Sequence, residues 1–285
     1  MRITPVVLCG GEGTRLWPLS RPDRPKPLLP LGTGSSLLAD TLERFAVYDP
    51  PLVVCARSHA AAVAEAHPRV QLLVEDTPIG TAAAVWRAAA AVSPHTVVLV
   101  TPADHLVADP APLHDAVARA FLHAATDLVL FGLTADRADP ELGWIHAVLP
   151  VADGVFEVTR FEEKPSTSRA AELLREGASW NSGLFLFRAD VVLERSRALG
   201  VDGTTPGSFD RRVVEHTRCL VVPVALDWSD LGTWDAVRRR NGVGGRYVLA
   251  PGERVPGDVF RVVEGSVEGG RAGDTGAIVV TSGAE

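Results

Sequence analysis

Between residues 3 and 133, short apolar runs alternate with helix-like stretches, and this alternation narrows the fold more than any other feature of the chain. Residues 3–9, 52–56, 70–75, 96–101 and 127–133 have the length and β-branched content of buried strands. Residues 37–47, 58–67, 81–92 and 113–125 lie between them as helices, and the alanine run at 82–91 joins high helix propensity to side chains small enough to pack closely on a sheet. Strands alternating with helices imply a Rossmann-like, doubly wound α/β fold: a mostly parallel, mixed sheet with helices on both faces. In such sheets the ligand sits at the carboxyl ends of the strands. Further on, 154–161, 183–188 and 219–224 read as strands, and 169–177, 189–199 and 232–240 as helices. Residues 241–285 hold 11 of the 26 glycines, a density suited to turns and short strands. The expected division is a main domain at 1–240 and a short Gly-rich β/loop tail at 241–285.

A net charge of −7 is the wrong sign for tracking a nucleic-acid backbone, so no nucleic-acid partner is expected. No apolar run approaches the roughly 20 residues that span a bilayer, and residues 1–8 run too soon into glycines to read as a secretory signal. Cys9, Cys55 and Cys219 have no C-x-x-C spacing and read as reduced thiols of a cytoplasmic protein. The histidines lack zinc-ligand spacing.

The first strand runs directly into Gly10-Gly11-Glu12-Gly13-Thr14-Arg15. Glycines there let backbone N–H groups crowd against phosphate oxygens, and Arg15 adds a fork-shaped cation suited to them. A tight turn is the plain alternative. The loop is not a Walker A motif, since no Gly-Lys-Ser/Thr follows, and it lacks the third glycine of a dinucleotide fingerprint. Five prolines between positions 18 and 30 then predict a stiff, extended loop that holds Lys26 against a ligand at low entropic cost. Lys26 has a wider significance: of 28 basic residues only Lys26 and Lys164 are lysine, and lysine is the compact point charge that a tight phosphate site can demand.

The run G-G-E-G-T-R-L-W-P-L-S-R, followed by Pro25-Lys26, resembles the signature loop of mannose-1-phosphate guanylyltransferases within the wider sugar-1-phosphate nucleotidylyltransferases. Gly80-Thr81-Ala82, Pro102-Ala103-Asp104-His105, Phe161-Glu162-Glu163-Lys164-Pro165, Trp180-Asn181-Ser182-Gly183 and Trp228-Ser229-Asp230-Leu231-Gly232-Thr233-Trp234 follow in the family's order, so the resemblance covers residues 3 to about 240. It implies an Mg²⁺-dependent enzyme that transfers a nucleoside monophosphate from a nucleoside triphosphate to a sugar 1-phosphate and releases pyrophosphate. By the resemblance, Gly10, Gly11, Gly13, Thr14, Glu75, Gly80 and Thr81 contact the nucleotide, and Asp104 and Asp230 hold the metal. Arg15 and Lys26 neutralise the leaving pyrophosphate, while Lys164 orients the nucleophile. Gly143, Glu163, Lys164 and Asn181 hold the sugar phosphate. His105 is read as structural.

The pattern is also broken in places. Pro27-Leu28 replaces the family's Gln-Phe, Ile79 stands where an arginine precedes the Gly-Thr pair, and Pro140-Glu141-Leu142-Gly143-Trp144-Ile145 keeps only part of the sugar loop. GTP is favoured, because a carboxylate such as Glu75 can accept guanine's adjacent N1–H and N2–H₂ donors. Mannose 1-phosphate is the default acceptor, and a bulky Trp144 points to a reshaped pocket for a related sugar, heptose or cyclitol phosphate. The alternatives are a non-catalytic sugar-nucleotide-binding subunit and a transferase using another base. A nicotinamide-dependent dehydrogenase and a molybdopterin nucleotidyltransferase both leave later motifs unexplained. The resemblance leaves room for a homodimer.

Overall fold

The structure, a computed structural model, describes residues 2–237 apart from 12, 17–18, 22–23, 32–33 and 234–235, and beyond them the backbone of four short strands. In chain order the elements are β1 (Ile3–Cys9), α1 (Leu37–Arg44), β2 (Leu52–Ala56), α2 (Arg57–Ala66), β3 (Gln71–Glu75), α3 (Thr81–Ala90) and β4 (Val97–Pro102). Next come β5 (Leu106–Val107), α4 (Ala111–Ala120), β6 (Leu128–Leu133), β7 (Gly143–Ala152), β8 (Val155–Glu163), α5 (Thr167–Arg175) and β9 (Ser179–Arg188). α6 (Ala189–Ala198), α7 (Phe209–Arg212), β10 (Cys219–Val224) and β11 (Trp228–Ser229) follow. The backbone strands are β12 (Tyr247–Val248), β13 (Val259–Val263), β14 (Ser266–Gly270) and β15 (Val279–Val280).

The chain folds into two compact units. One comprises Met1–Gly10, Leu42–Ala103 and Val107–Asp227; the other comprises Gly11–Thr41, Asp104–Leu106 and Trp228–Glu285. The first unit is built on a nine-stranded mixed sheet of order β3-β2-β1-β4-β9-β6-β10-β8-β7. β3, β2, β1 and β4 run parallel, as the alternation of strands and helices predicts. β9 enters antiparallel between β4 and β6, and β10 lies parallel to β6. The β7–β8 hairpin closes the order, with β7 also pairing to β9 through Trp144 and Ile145. These pairings set the carboxyl ends of β6 and β8 beside the amino ends of β7 and β9.

α3 presents Ala82, Val85, Ala88 and Ala89 to a core that includes Val6, Val54, Val98, Val100, Phe185 and Phe187. Phe209 of α7 joins it, edge-on to Phe185 at a centroid distance of 5.1 Å. Removing a buried phenylalanine of this kind costs about 3–5 kcal/mol, so the ring holds the short helix firmly to the sheet.

The second unit has a small core of its own: Leu16, Leu19, Leu29, Leu31, Leu37, Leu106, Leu231 and Val237. Its loop is not extended throughout. Thr14–Leu16 and Lys26–Leu28 form 3₁₀ turns. Pro25 precedes the second turn with φ −68°, and Pro27 sits in its first positions. A missing N–H is tolerated there because first-turn donors have no intrahelical partner. Pro18 and Pro22 lie outside the described residues.

β9 begins at Ser179, so Trp180–Ser182 is strand and not the approach to one. β7 and α7 are elements that the sequence patterns do not predict. Most of the helix expected at 232–240 lies outside the described residues. Of the tail at 241–285, the described backbone pairs β12 with β15 and β13 with β14, both antiparallel. Among the described residues no helix is long and apolar enough to cross a membrane.

Candidate active site

In the first unit, Gly10 follows β1 and Glu75 ends β3. A Cβ on Gly10 would lie 3.8 Å from Glu75 Oε2, so the glycine sits directly over the carboxylate. Glu75 is only 4% exposed, and Arg87 of α3 donates Nη1–H to its Oε1 at 3.0 Å. Burial pushes the carboxyl pKa up, and the Arg87 charge and hydrogen bond offset only part of that rise. One oxygen of the expected base-reading carboxylate is therefore already engaged. Gly80 and Thr81 open α3, and the Thr81 hydroxyl accepts the Phe209 N–H at 2.8 Å.

A second group of side chains gathers in the same unit. A Cβ on Gly143 would fall 2.7 Å from Glu163 Oε2 and 3.2 Å from the Asn181 Cβ, so the missing side chain lets both residues close in. Lys164 Nζ lies 3.4 Å from Glu163 Oε1, with the lysine side chain half-exposed and the glutamate nearly buried. Asn181 does not stand free: its Nδ2 donates to Asp210 Oδ1 at 2.8 Å, and its Oδ1 accepts Gly183 N–H at 3.2 Å. Burial, then the neighbouring Glu163 charge, push the Asp210 carboxyl up to about 7. Glu163 is raised as well, by burial, against the lowering effect of Lys164. Beside these groups opens a cavity of about 550 Å³ lined by Glu163, Lys164, Gly207, Ser208, Arg211 and Arg212. Three cations against one carboxylate suit a phosphate dianion.

Sequence reasoning missed Ser208, Asp210, Arg211 and Arg212. A Ser-Phe-Asp run reads as an ordinary helix start, and Ser208 does cap α7 by accepting Arg211 N–H at 3.3 Å. Only the packing of Phe209 turns the next two side chains into a site. Trp144 is also placed differently from expectation. Successive strand residues face opposite sides, so while Gly143 faces Glu163, Trp144 packs edge-on to Trp180 and donates Nε1–H to Asp139 O at 2.9 Å. The indole is core, not pocket wall.

The second unit collects three separate motifs on one nitrogen. Lys26 is 4% exposed, and its Nζ donates to Asp104 Oδ2 at 2.8 Å and to the Asp230 carbonyl at 2.5 Å. Burial alone would raise the Asp104 pKa, but Lys26 and His105 bring it below the ordinary carboxylate value, so the group is anionic at neutral pH. Gly13, at φ +66°, packs against Lys26: an added Cβ would meet the Lys26 Cβ at 2.4 Å. The Ser20 hydroxyl donates to the Gly13 carbonyl. A Cβ on Gly232 would lie 2.4 Å from Asp230 Oδ2 and 3.2 Å from an Arg15 guanidinium nitrogen, so the Asp230 carboxylate and Arg15 meet over that glycine. Gly11, Thr14 and Arg15 are exposed. His105 receives the Trp228 Nε1–H at 3.3 Å and stacks edge-on to its ring, a structural role.

Among the described residues two non-glycines have positive φ, Lys164 at 50° and Leu231 at 45°. Each marks one of the clusters, the first as the cavity lysine and the second as the neighbour of Asp230. Left-handed backbone at a residue with a Cβ costs roughly 1–2 kcal/mol and is found where a site fixes it.

Asp104 and Asp230 carry carboxylates of the kind a divalent cation takes, and Lys26 binds the side chain of the first and the backbone carbonyl of the second. Mg²⁺ takes hard oxygens and is often content with one or two carboxylates beside phosphate oxygens and water. Among the described residues no group of three or more His, Cys, Asp and Glu side chains is placed to hold a metal ion.

The chain is similar to known proteins. The alginate biosynthesis protein AlgA of Pseudomonas putida is 37% identical over 277 residues, covering 82% of this chain and 57% of that protein. Mannose-1-phosphate guanylyltransferase ManC of Salmonella typhimurium is 36% identical, over 83% of this chain and 59% of its own length. The chain thus spans somewhat under two thirds of these relatives. A solved structure from Thermus thermophilus, described as a mannose-1-phosphate geranyltransferase, superposes with a TM-score of 0.77 at 32% identity, covering 92% of this chain and 84% of the other. The family described as Nucleotidyl transferase matches residues 4–242, a span that takes in both clusters and all the motifs that build them, and the chain belongs to that family.

Proposed function

We propose that this chain transfers a nucleoside monophosphate from a nucleoside triphosphate to a sugar 1-phosphate and releases pyrophosphate, with Mg²⁺ as cofactor. GTP and mannose 1-phosphate are the favoured pair, on the names of the similar proteins. The observation that carries the reading is Lys26: its one ammonium joins the signature loop, the Asp104 motif and the Asp230 motif.

The nucleophile is a phosphate oxygen of the sugar 1-phosphate, which is already anionic at neutral pH, so the reaction needs no general base. This oxygen bonds to the α-phosphorus as the bond from that phosphorus to the β-phosphate oxygen breaks, and pyrophosphate leaves with the electron pair. Alignment and charge neutralisation are then the protein's contribution. Lys164 and Arg211 hold the sugar phosphate, and Glu163 and Asp210 accept from or donate to its hydroxyls. Asn181 serves mainly to hold Asp210. The resemblance assigns Gly10, Gly11, Thr14, Gly80 and Glu75 to the nucleotide, and Arg15 and Lys26 to offsetting charge on the departing pyrophosphate. A bound Mg²⁺, held by Asp104 and Asp230, would supply Lewis-acid stabilisation of phosphate oxygens. Cys9, Cys55 and Cys219 are buried and form no disulfide, in keeping with a reducing, cytoplasmic setting.

The test is pyrophosphate release with Mg²⁺, crossing GTP, ATP, UTP, CTP and dTTP with a panel of sugar and cyclitol 1-phosphates. Release in one or a few combinations, lost on chelation, is expected. Folded protein that binds nucleotide yet stays silent in every combination would favour the non-catalytic subunit. Signal with another base and none with GTP would remove the guanine assignment.

A further inference from the structure

Thr81 belongs to a motif read from the sequence as a nucleotide contact, yet its hydroxyl oxygen accepts the Phe209 N–H at 2.8 Å. Two backbone bonds run alongside: Ala82 N–H to Gly207 O at 3.0 Å, and Gly207 N–H to Ile79 O at 2.9 Å. The two strips are as close as they can be. Gly80 has φ +122°, and a Cβ on it would stand 2.3 Å from the Gly207 carbonyl oxygen. Past Phe209 the chain goes straight into Asp210, which holds the Asn181 amide, and Arg211, which lines the cavity with Glu163 and Lys164. α7 has only four residues, too few to fix its own place. Its start is anchored by the Phe209 ring in the core and the Phe209 N–H on Thr81, while the Asn181 bond to Asp210 and the Arg211 bond to the Glu163 carbonyl hold the residues that follow.

We propose that Thr81 is a positioning residue for the sugar-phosphate cavity: by holding Phe209 N–H it sets where Asp210 and Arg211 stand, so losing its hydroxyl weakens the hold on the sugar phosphate and not on the nucleotide. The inference rests on the transferase reading above and reassigns one residue within it. It also gives the Gly80-Thr81 motif a second task. The same turn that approaches the nucleotide fixes the helix that lines the sugar-phosphate side, through three hydrogen bonds between residues 79–82 and 207–209.

The experiment compares the 285-residue protein with Thr81→Val and Thr81→Ser, measuring pyrophosphate release with GTP and mannose 1-phosphate varied separately. Thr81→Val should raise KM for mannose 1-phosphate about tenfold, the worth of one ordinary hydrogen bond, and leave KM for GTP within about twofold. Thr81→Ser keeps the acceptor and should restore both. In a cycle with Arg211→Ala the two effects on the sugar-phosphate KM should be less than additive, because Thr81 acts through α7. A GTP KM that rises as much as the other, or full additivity, overturns the proposal. Hydrogen exchange at residues 209–212 is the readout independent of turnover: faster in Thr81→Val and normal in Thr81→Ser, with unchanged protection in the valine variant refuting the idea. A wild type silent in every substrate combination defeats the transferase reading instead, and exchange alone then decides whether Thr81 positions α7.

Discussion

Replacing Gly13 with alanine puts a methyl group 2.4 Å from the Lys26 Cβ and 3.3 Å from its Cγ and Cδ, on a backbone at φ +66°. The left-handed conformation costs alanine roughly 1–2 kcal/mol. Carbon atoms pack at about 3.5–4.0 Å, so the overlap exceeds about 1 Å and one partner must move. Lys26 has little freedom to yield, because its turn is bounded by Pro25 and contains Pro27. Moving it stretches the charge-assisted bonds from Nζ to Asp104 and the Asp230 carbonyl, worth about 1.5–3 kcal/mol. Gly13→Ala should therefore destabilise the protein by about 3–5 kcal/mol, or keep its fold with Lys26 displaced by roughly 1 Å and turnover down on the order of 100-fold. Gly11→Ala is the control: nothing lies within 4 Å of its Cβ, so stability should hold within about 0.5 kcal/mol. Urea unfolding and Mg²⁺-dependent pyrophosphate release measure both quantities. A Gly13→Ala protein with wild-type stability and turnover within about threefold of wild type would refute the argument that this glycine exists to make room for Lys26.

Lys164→Gly removes the strain at φ 50° together with the charge; urea unfolding should show stability unchanged or higher by about 1 kcal/mol, while KM for the sugar phosphate rises about tenfold or more. Asp210 has a raised pKa in the fold, so its stabilising neutral form is fully present below about pH 4 and lost as pH rises through about 7. The urea midpoint should fall from pH 5 to pH 8 by the equivalent of about 2–3 kcal/mol in wild type, and by less in Asp210→Asn; an equal fall in both would show that Glu163 or another group carries the effect. Trp144→Phe loses the indole bond to Asp139 O and should cost about 1–2 kcal/mol, with acceptor preference in the substrate grid unchanged; a changed preference would return Trp144 to the pocket wall.

The parallel half of the sheet is legible because β1 and β2 are buried apolar runs bounded by turns and helices, and β3, though only partly buried at the sheet edge, keeps a short apolar run of the same kind. β7 is hidden for the opposite reason. Its outer part is exposed and broken by Pro150, so neither alternation nor a clean apolar run announces it. β9 is longer than its apolar run suggests, because Trp180-Asn181-Ser182 looks like a loop motif, whereas pairing with β6 and β7 extends the strand through it. Among site residues, Lys26, Asp104, Asp230, Glu163, Lys164 and Asn181 can be named from ordered motifs. Asp210 and Arg211 cannot, since nothing local distinguishes their helix from any other short one.

From its sequence alone the chain declares its α/β class, its motif order and the residue types suited to phosphate and metal, because strand and helix periods and short motifs are properties of neighbouring residues. The tertiary structure alone decides which of those residues are partners. It gives Lys26 to Asp104 and the Asp230 carbonyl, Asn181 to Asp210, Arg87 to Glu75 and Thr81 to Phe209. These pairs join positions 12 to 204 residues apart. A hydrogen bond is set by distance in space, and burial sets its strength and the protonation of its partners, so neither can be read along the chain.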